Sequence, residues 1–463
     1  MKTIQSKSLT IAYIGGGSRA WAWTFMTDLA LDPELSGVVR LYDIDQSAAE
    51  HNAIIGNKLA ELPETQGKWR YITAPTLSEA LDGADFVVIS ILPGTFEEMH
   101  SDVHLPERLG IYQSVGDTSG PGGTIRALRT IPIFVTFAEA IRDYAPDAWV
   151  INYTNPMSVC VRTLYHAFPG IKAFGCCHEV FGTQELLAAM VEQKLGLNQK
   201  VNRNEIMVNV LGLNHFTWFD RASYQNFDLF QMYSQFIDTY YEEGFQNEKR
   251  NLHNQHFTSK NRVKFDLFRR YGWIAAAGDR HLAEFMPGSL YLKNPEAVKQ
   301  WGFYLTSVDW RIEDLRQRLQ KSEKIMSEGW ETPLQSSGEE GILLIKALCG
   351  LTRVVSNTNL PNQRGQIANL PKDTVVETNA LFSLNSVIPI SAGNLSDDIH
   401  ELIAPHAANQ DDMMLAALNC DRDAVYRAFE RDPLCAGQSV GDLHKLADDM
   451  IQNTMAYLPD GWQ

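Results

Sequence analysis

The sequence has few cysteines, no long hydrophobic run and no surplus of basic residues. Its six cysteines, at positions 160, 176, 177, 349, 420 and 435, have no framework spacing, which is typical of a reducing compartment. The longest apolar run, residues 86–92, suits a buried strand and is too short for a membrane helix. Residues 1–8 lack the apolar core of a signal peptide. We therefore expect a soluble, cytoplasmic protein with no membrane partner.

The charge balance also limits the classes of binding partner to expect. Lys and Arg number 40 against 56 Asp and Glu, so the formal charge is -16. Nucleic acids and anionic membranes both favour a basic face, so neither is an expected partner. Hydrophobic residues at 44% and charged residues at 21% are typical of a globular enzyme. The 463 residues suffice for two or three domains, and a small-molecule substrate is the default expectation.

The chain begins with a pattern of strand, glycine turn and helix. Residues 9–14 (LTIAYI) form an apolar run, and a helical pattern covers residues 21–31. Gly15, Gly17 and Ala20 between them fit G-x-G-x-x-A, in which the glycines allow a tight turn and close approach of a pyrophosphate. We therefore predict a dinucleotide-binding turn, and the loop residues assigned to the cofactor are Gly15, Gly16, Gly17 and Ser18.

The second predicted strand, residues 38–42, ends in Asp43, where a carboxylate accepts the ribose hydroxyls of NAD and repels the phosphate of NADP. NAD is therefore the expected cofactor. The alternative is that Asp43 only caps a turn. Further strands are predicted at residues 69–72 and 84–92, and the latter exits through Pro93, which we also assign to the cofactor site.

Two more predicted strands bring polar residues to the same sheet edge. The strand at residues 149–153 leads to Asn155, and residues 173–175 lead to Cys177, so both should face the nicotinamide end of NAD. Beyond about residue 200 the regular alternation of predicted strands and helices ends. The predicted fold class is α/β. A Rossmann-type NAD-binding domain like that of lactate and malate dehydrogenases covers residues 1–200, and a mixed α+β domain for substrate binding and oligomerisation covers residues 201–463.

A thiolate and an imidazole meet in residues 175–179 (GCCHE), which suits a divalent transition metal. The alternative for Cys177 is a buried apolar filler. His215 follows another apolar run, residues 211–213. One Cys, one His and open positions would suit Mn, Fe, Co, Ni or Zn, with substrate oxygens completing the shell, and the spacing matches no closed zinc site.

Together these motifs resemble the NAD- and metal-dependent glycoside hydrolases of family 4. The resemblance rests on the glycine-rich start, Asn155-Pro156, Cys177, Asn214-His215 and the loop at residues 116–123 (GDTSGPGG), in this order along the chain. It implies NAD and Mn²⁺, or another divalent metal, as cofactors. It also implies hydride removal at C3 of the sugar, proton removal at C2, elimination of the leaving group, water addition and return of the hydride.

The resemblance also implies individual roles. Cys177 and His215 match the metal ligands, while Asn155 and Asp117 match contacts to sugar hydroxyls. His178 follows the metal cysteine and matches a residue that helps the leaving group depart, with a structural histidine as the alternative. The base at C2 is assigned to Asp279, although this residue could instead cap the helix that follows it, and Tyr271 is a weaker candidate.

His178, together with the segments CCHEVFG, GLNHFTW and AGDRHLAEF, is most similar to the α-galacturonidase branch, which acts on pectin fragments. A uronate carboxylate favours a bidentate arginine, and the nearest candidates are Arg280, Arg126 and Arg129, of which we assign the first two to the substrate. A dimer or tetramer is expected by resemblance. The alternatives are an α-glucosidase or α-galactosidase of the same family, a 2-hydroxy-acid dehydrogenase, and an NAD-binding sensor without turnover.

Overall fold

The computed structural model describes residues 8–246 and 259–462 of the 463-residue chain. Residues 1–7, which make up most of the segment judged to lack a signal sequence, lie outside the described residues. Within the described part, no helix is both long and apolar enough to cross a membrane.

The first part of the chain alternates strands and helices, as the apolar runs predict. Its strands are β1 (Leu9–Ile14), β2 (Ser36–Tyr42), β3 (Lys68–Thr73), β4 (Phe86–Ile89), β5 (Trp149–Asn152) and β6 (Lys172–Gly175). Its helices are α1 (Trp21–Leu31), α2 (Gln46–Leu59), α3 (Leu77–Leu81), α4 (Phe96–His104), α5 (Gly120–Tyr144), α6 (Met157–Ala167) and α7 (Glu179–Leu195).

The first six strands are parallel in the order β3-β2-β1-β4-β5-β6. The strand order reverses between β1 and β4, which is the switch point where open α/β sheets bind ligands at the carboxyl ends of their strands. The predicted α/β class with a Rossmann-type sheet is therefore confirmed.

The second part contains the remaining elements. The strands are β7 (Ile206–Leu213), β8 (Phe216–Tyr224), β9 (Phe227–Asp228), β10 (Ile274–Ala275), β11 (Val354–Pro361), β12 (Val375–Ser383) and β13 (Ser386–Pro389). The helices are α8 (Phe230–Tyr240), α9 (Arg262–Tyr271), α10 (Asp279–Glu284), α11 (Gly288–Tyr291), α12 (Pro295–Gln300), α13 (Val308–Glu328), α14 (Gly341–Leu348), α15 (Asp397–Asn419), α16 (Arg422–Arg431) and α17 (Val440–Thr454).

The strands of the second part belong to two sheets. Strands β11, β12 and β13 extend the first sheet in antiparallel fashion, beginning where Asn359 of β11 pairs with Gly175 of β6. Only β7 to β10 form a separate small sheet. The sheet thus continues across the predicted boundary at residue 200, and a two-domain division there stays a prediction.

Two local features position the site. The hairpin of β7 and β8 turns through Asn214 and His215, and His215 has a φ of 65°, a conformation that few residues other than glycine adopt. Helix α5 is buried without interruption from Gly120 to Ile131, since it runs between the layers and not over the surface. Because of this path, polar side chains on its first turns lie inside the protein.

Candidate active site

The turn after β1 has the shape of a nucleotide cradle. Gly15 has a φ of 89°, and a Cβ at this position would lie 1.9 Å from the Ser90 carbonyl oxygen, so only glycine fits. Asn52 donates from Nδ2 to the carbonyl oxygens of Gly16 and Ser18 at 2.7 and 2.9 Å, and these bonds fix the loop. The loop thus leaves backbone open to a close-approaching pyrophosphate, which fits the NAD expected from the sequence.

Asp43 follows β2 and faces the same turn. Its Oδ2 accepts from the Gly17 amide at 2.8 Å, and its Oδ1 accepts from the Asp45 amide at 3.0 Å. These are the bonds expected of the turn-capping alternative. Each carboxylate oxygen has a second lone pair, so the turn bonds leave acceptor capacity for ribose hydroxyls. Pro93 lies beyond β4, where Thr154 Oγ1 accepts from the Ile91 amide at 3.0 Å and ties the ends of β4 and β5 together.

The centre of the cleft holds the Asp117 carboxylate. Asn155 Nδ2 donates to its Oδ2 at 3.4 Å, and Thr118 Oγ1 donates to its Oδ1 at 2.7 Å. Burial disfavours the ionised form, but nearby positive charge, that of Arg126 first, outweighs burial and holds the pKa of Asp117 well below its usual range. The structure thus brings Asp117, Asn155 and Arg126 together, and Asp117 is ionised.

Cys177 and the tip of the β7–β8 hairpin interact with the same side chains. Asn214 at the tip donates from Nδ2 to Glu377 Oε2 at 3.2 Å. Burial and then the carboxylates of Glu377 and Glu179 raise the pKa of the Cys177 thiol. Glu179 also interacts electrostatically with His215. Both predicted metal ligands therefore belong to one buried cluster.

A soft thiol and a borderline imidazole fit a divalent transition metal. His215 Nδ1 lies 3.0 Å from Thr118 Oγ1, which leaves its Nε2 as the nitrogen able to bind a metal. Among the described residues, no group of three or more His, Cys, Asp and Glu side chains is arranged to hold a metal ion. Cys177 and His215 would therefore supply two ligands, and a metal held by them would need further ligands from elsewhere.

Two residues without a predicted role complete the cluster. The His281 and His215 rings are in contact, with centroids 3.9 Å apart and planes tilted by 35°, and burial lowers the pKa of both, so both imidazoles are neutral. Glu179 Oε2 accepts from the Gly278 amide at 2.8 Å, and its Oε1 lies 3.6 Å from His281 Nε2. The only sequence signals were the position of Glu179 beside the Cys-His pair and the polar run around His281.

His178 lies at the entrance of α7, and its side chain is 37% exposed. Its Nδ1 is 3.0 Å from Glu339 Oε1, and its ring centroid is 5.9 Å from that of Trp21 on α1. The imidazole thus lies at the rim, beside the helix that follows the glycine turn, while Cys177 lies inside. This position is accessible to a departing group.

The three candidate arginines differ in their surroundings. Arg126 donates from Nε to the Asn155 carbonyl oxygen at 3.0 Å, and Arg280 donates from Nη1 to Thr306 Oγ1 at 3.3 Å. Arg129 forms a buried ion pair with Asp102 at 2.5 Å, with both side chains 1% exposed. Arg129 is therefore not available to a substrate carboxylate, because Asp102 already neutralises it.

Asp279 begins α10, but its carboxylate does not cap that helix, which corrects the alternative expected from the sequence. It is fully buried, and its Oδ1 accepts from the Lys264 amide at 3.1 Å in the first turn of α9. Burial raises the pKa of Asp279. Tyr271 lies at the far end of α9 and packs edge-on against Trp218, with ring centroids 5.9 Å apart.

Two buried carboxyl groups had no role assigned from the sequence. Glu284 accepts from the Val115 and Gly116 amides at 2.6 and 2.9 Å, and burial raises its pKa to about 8. Burial also raises the pKa of Glu377, to about 7. Both groups therefore carry protons at or near neutral pH, and their strongly buried positions are set by packing that no local pattern reveals.

The fold and the cleft together define a Rossmann-type protein with a thiol–imidazole cluster beside its nucleotide turn. The model for family 4 glycosyl hydrolases matches residues 10–193, and the model for the C-terminal domain of the same family matches residues 210–435. The chain belongs to the family 4 glycosyl hydrolases, and the resemblance seen in the motifs is confirmed.

Individual relatives cover nearly the whole chain. An α-galacturonidase of Lachnoclostridium phytofermentans is 60% identical over 98% of this chain and 97% of its own. An α-galacturonidase of Bacillus subtilis is 51% identical over 96% and 98%. A crystal structure of a Bacillus subtilis protein, 51% identical, superposes with a TM-score of 0.90 over 96% of this chain and 99% of its own.

A 6-phospho-α-glucosidase from gut microorganisms in complex with NAD and Mn²⁺ superposes with a TM-score of 0.82 over 98% of this chain and 99% of its own. At 19% identity it shows that the fold is shared and no more.

Proposed function

We propose that the protein is an α-galacturonidase that releases α-linked galacturonic acid from pectin fragments. The observation that carries the proposal is full-length similarity, at 51–60% identity, to four relatives named α-galacturonidase. An arginine-rich cleft supports it, because a uronate carries a carboxylate that neutral hexosides lack. An α-galactosidase of Bacillus subtilis at 25% identity makes α-galactosidase the second candidate.

For the cofactors we propose NAD at the glycine turn and Mn²⁺, or another divalent metal, at Cys177 and His215. The buried thiol and imidazole support the metal, and the NAD and Mn²⁺ named for a solved protein of the same fold support both cofactors. When bound, NAD supplies a hydride acceptor for C3 of the sugar, and the metal supplies a Lewis acid for its oxygens.

The chain's own residues then have separate tasks. Asp117, ionised and bonded to Asn155, accepts hydrogen bonds from sugar hydroxyls and orients the ring. Arg126 and Arg280 contribute positive charge beside the same sugar. His178 at the rim donates a proton to the departing glycosidic oxygen. These assignments are supported by the convergence of the side chains on one cleft.

For removal of the C2 proton we propose Asp279. Its support is the raised pKa that burial produces, which brings a carboxylate closer to the pH at which it must take up a proton. The same carboxylate also holds the first turn of α9, so its two tasks need separate readouts.

We also propose a cellular location, a domain division and an oligomeric state. The six cysteines are all free thiols, which supports a cytoplasmic location. We propose a division near residue 200 into an NAD-binding part and a substrate part, and assembly as a homodimer or homotetramer.

The function is tested with nitrophenyl α- and β-glucosides, galactosides and galacturonides, with and without a 6-phosphate, in the presence of NAD and Mn²⁺. We expect turnover of the α-galacturonide. Preferred turnover of the α-galactoside would establish the second candidate, and turnover of 6-phosphosugars alone would refute both.

A further inference from the structure

Arg311 lies near the start of α13, far in sequence from every motif of the site, yet it reaches the loop that carries Asp117. Its Nη2 donates to the Val115 carbonyl oxygen at 2.7 Å. Its Nε is buried and, within the described residues, has no hydrogen-bond partner. A buried donor without a partner is costly, so this side chain is poised for an acceptor that a ligand would bring.

Arg280 is linked to the same loop through Thr306. The Ser114 carbonyl oxygen accepts from the Thr306 amide at 2.9 Å, and Arg280 Nη1 donates to Thr306 Oγ1 at 3.3 Å. Both arginines are thus linked to the segment that leads to Asp117, and the two guanidinium groups interact electrostatically.

The side chains around Asp117 carry an excess of positive charge. Arg126, Arg280 and Arg311 all interact with Asp117, and Arg280 also interacts with Glu179. The neighbouring Glu284 retains its proton, because burial raises its pKa to about 8. Arg126, which is buried, and Arg280 and Arg311, which are partly buried, therefore surround one ionised carboxylate, that of Asp117, and a ligand that brings a further negative charge would offset the excess of positive charge.

We propose that Arg311, together with Arg280, binds the C6 carboxylate of the terminal galacturonate and so selects uronides over neutral hexosides. This inference rests on the proposed α-galacturonidase function. A guanidinium presents parallel N–H donors that match the two oxygens of a carboxylate, which a galactoside's C6 hydroxyl cannot use fully.

The test compares wild type with Arg311→Gln, Arg311→Lys and, as the matched control on the same helix, Arg316→Gln. Arg316 is 69% exposed in its side chain and pairs with Glu313, so its loss should leave catalysis unchanged. The measurements are kcat and KM for nitrophenyl α-galacturonide and inhibition constants for free galacturonate, galactose and galactose 6-phosphate. Thermal unfolding checks that each variant is folded.

For Arg311→Gln we expect KM for the galacturonide and the inhibition constant of galacturonate to rise about 100-fold, with a smaller effect on kcat. The inhibition constant of galactose should change less than about threefold. For Arg311→Lys the rise in both constants should be intermediate, because lysine keeps the positive charge and loses the paired N–H donors of the guanidinium.

Equal weakening of galacturonate and galactose would mean a purely structural role and would overturn the inference. Stronger inhibition of the wild type by galactose 6-phosphate than by galacturonate would assign the anion site to phosphate and would also overturn it. Failure of the wild type to cleave any galacturonide would instead refute the proposed function itself, and this outcome is visible without any variant.

Discussion

Replacing Asp279 by Asn separates the two tasks that its position suggests. The substitution keeps the size of the side chain and an oxygen that can accept from the Lys264 amide. It removes the negative charge at the first turn of α9 and the ability to take up the C2 proton. A helix-holding carboxylate and a catalytic base therefore respond differently to the same change.

The structural loss can be bounded from the contacts. A charge-assisted hydrogen bond becomes a neutral one, which costs about 1 kcal/mol, and the loss of a charge at the N-terminus of α9 costs about 0.3–1 kcal/mol more. Because burial raises the pKa of Asp279, removal of the charge also relieves a desolvation penalty that offsets these losses, so we expect the free energy of unfolding to change by no more than about 1–2 kcal/mol. Loss of a general base should lower kcat by about 10²–10⁴-fold, far more than so small a stability change can produce.

The assay combines thermal unfolding, kcat with nitrophenyl α-galacturonide, and deuterium incorporation at C2 of the product in heavy water. The matched control is Asp266→Asn, since Asp266 is a buried carboxylate of α9 that accepts from Tyr291 Oη and Arg270 Nε, both at 2.6 Å. This control should lose stability and keep most of its kcat. If Asp279→Asn behaves like the control and still incorporates deuterium, Asp279 only holds α9 and the base lies elsewhere.

Three further outcomes follow from the geometry. Cys177→Ser should lower activity more than about 100-fold in the presence of Mn²⁺ without altering the fold, and full activity would contradict the metal assignment. Glu284 takes up its proton at a higher pH when folded than when unfolded, so stability should fall as pH rises from about 5 to about 8. Glu284→Gln should flatten that dependence in thermal unfolding and gain on the order of 4 kcal/mol over wild type at the alkaline end, whereas an unchanged slope would contradict the raised pKa. Arg129→Met should lower the free energy of unfolding by about 3–5 kcal/mol in denaturant titrations, because Asp102 is left buried without its partner, and a neutral effect would show that Asp102 finds another one.

The elements that depend on local pattern were predictable. The strand Leu9–Ile14 and the helix Trp21–Leu31 have the predicted bounds, because a short apolar run and the glycine turn specify them. The strands β11 to β13 were not assigned to the first sheet. Their pairing with β6 joins residues more than 180 positions apart, as Asn359 and Gly175 show, and no local signal encodes such a contact.

Some residues of the site could likewise be predicted from local pattern, and others could not. Cys177, His215, Asp117 and Asn155 follow strand ends or turns with distinctive residues, so sequence could place them near one another. Arg311 could not be found in this way, because its approach to the Asp117 loop arises only from the packing of α13. The contact between the His281 and His215 rings likewise joins two elements through tertiary structure alone.

The most direct measurement counts galacturonate released against NADH formed, with NAD supplied in amounts well below the substrate. If NAD is oxidant and reductant within each cycle, enzyme stripped of NAD should be inactive. Restored NAD should then support many galacturonate molecules each, with no net NADH. Accumulation of one NADH per product would identify a dehydrogenase, and hydrolysis that continues unchanged without NAD would refute the proposed redox-assisted mechanism.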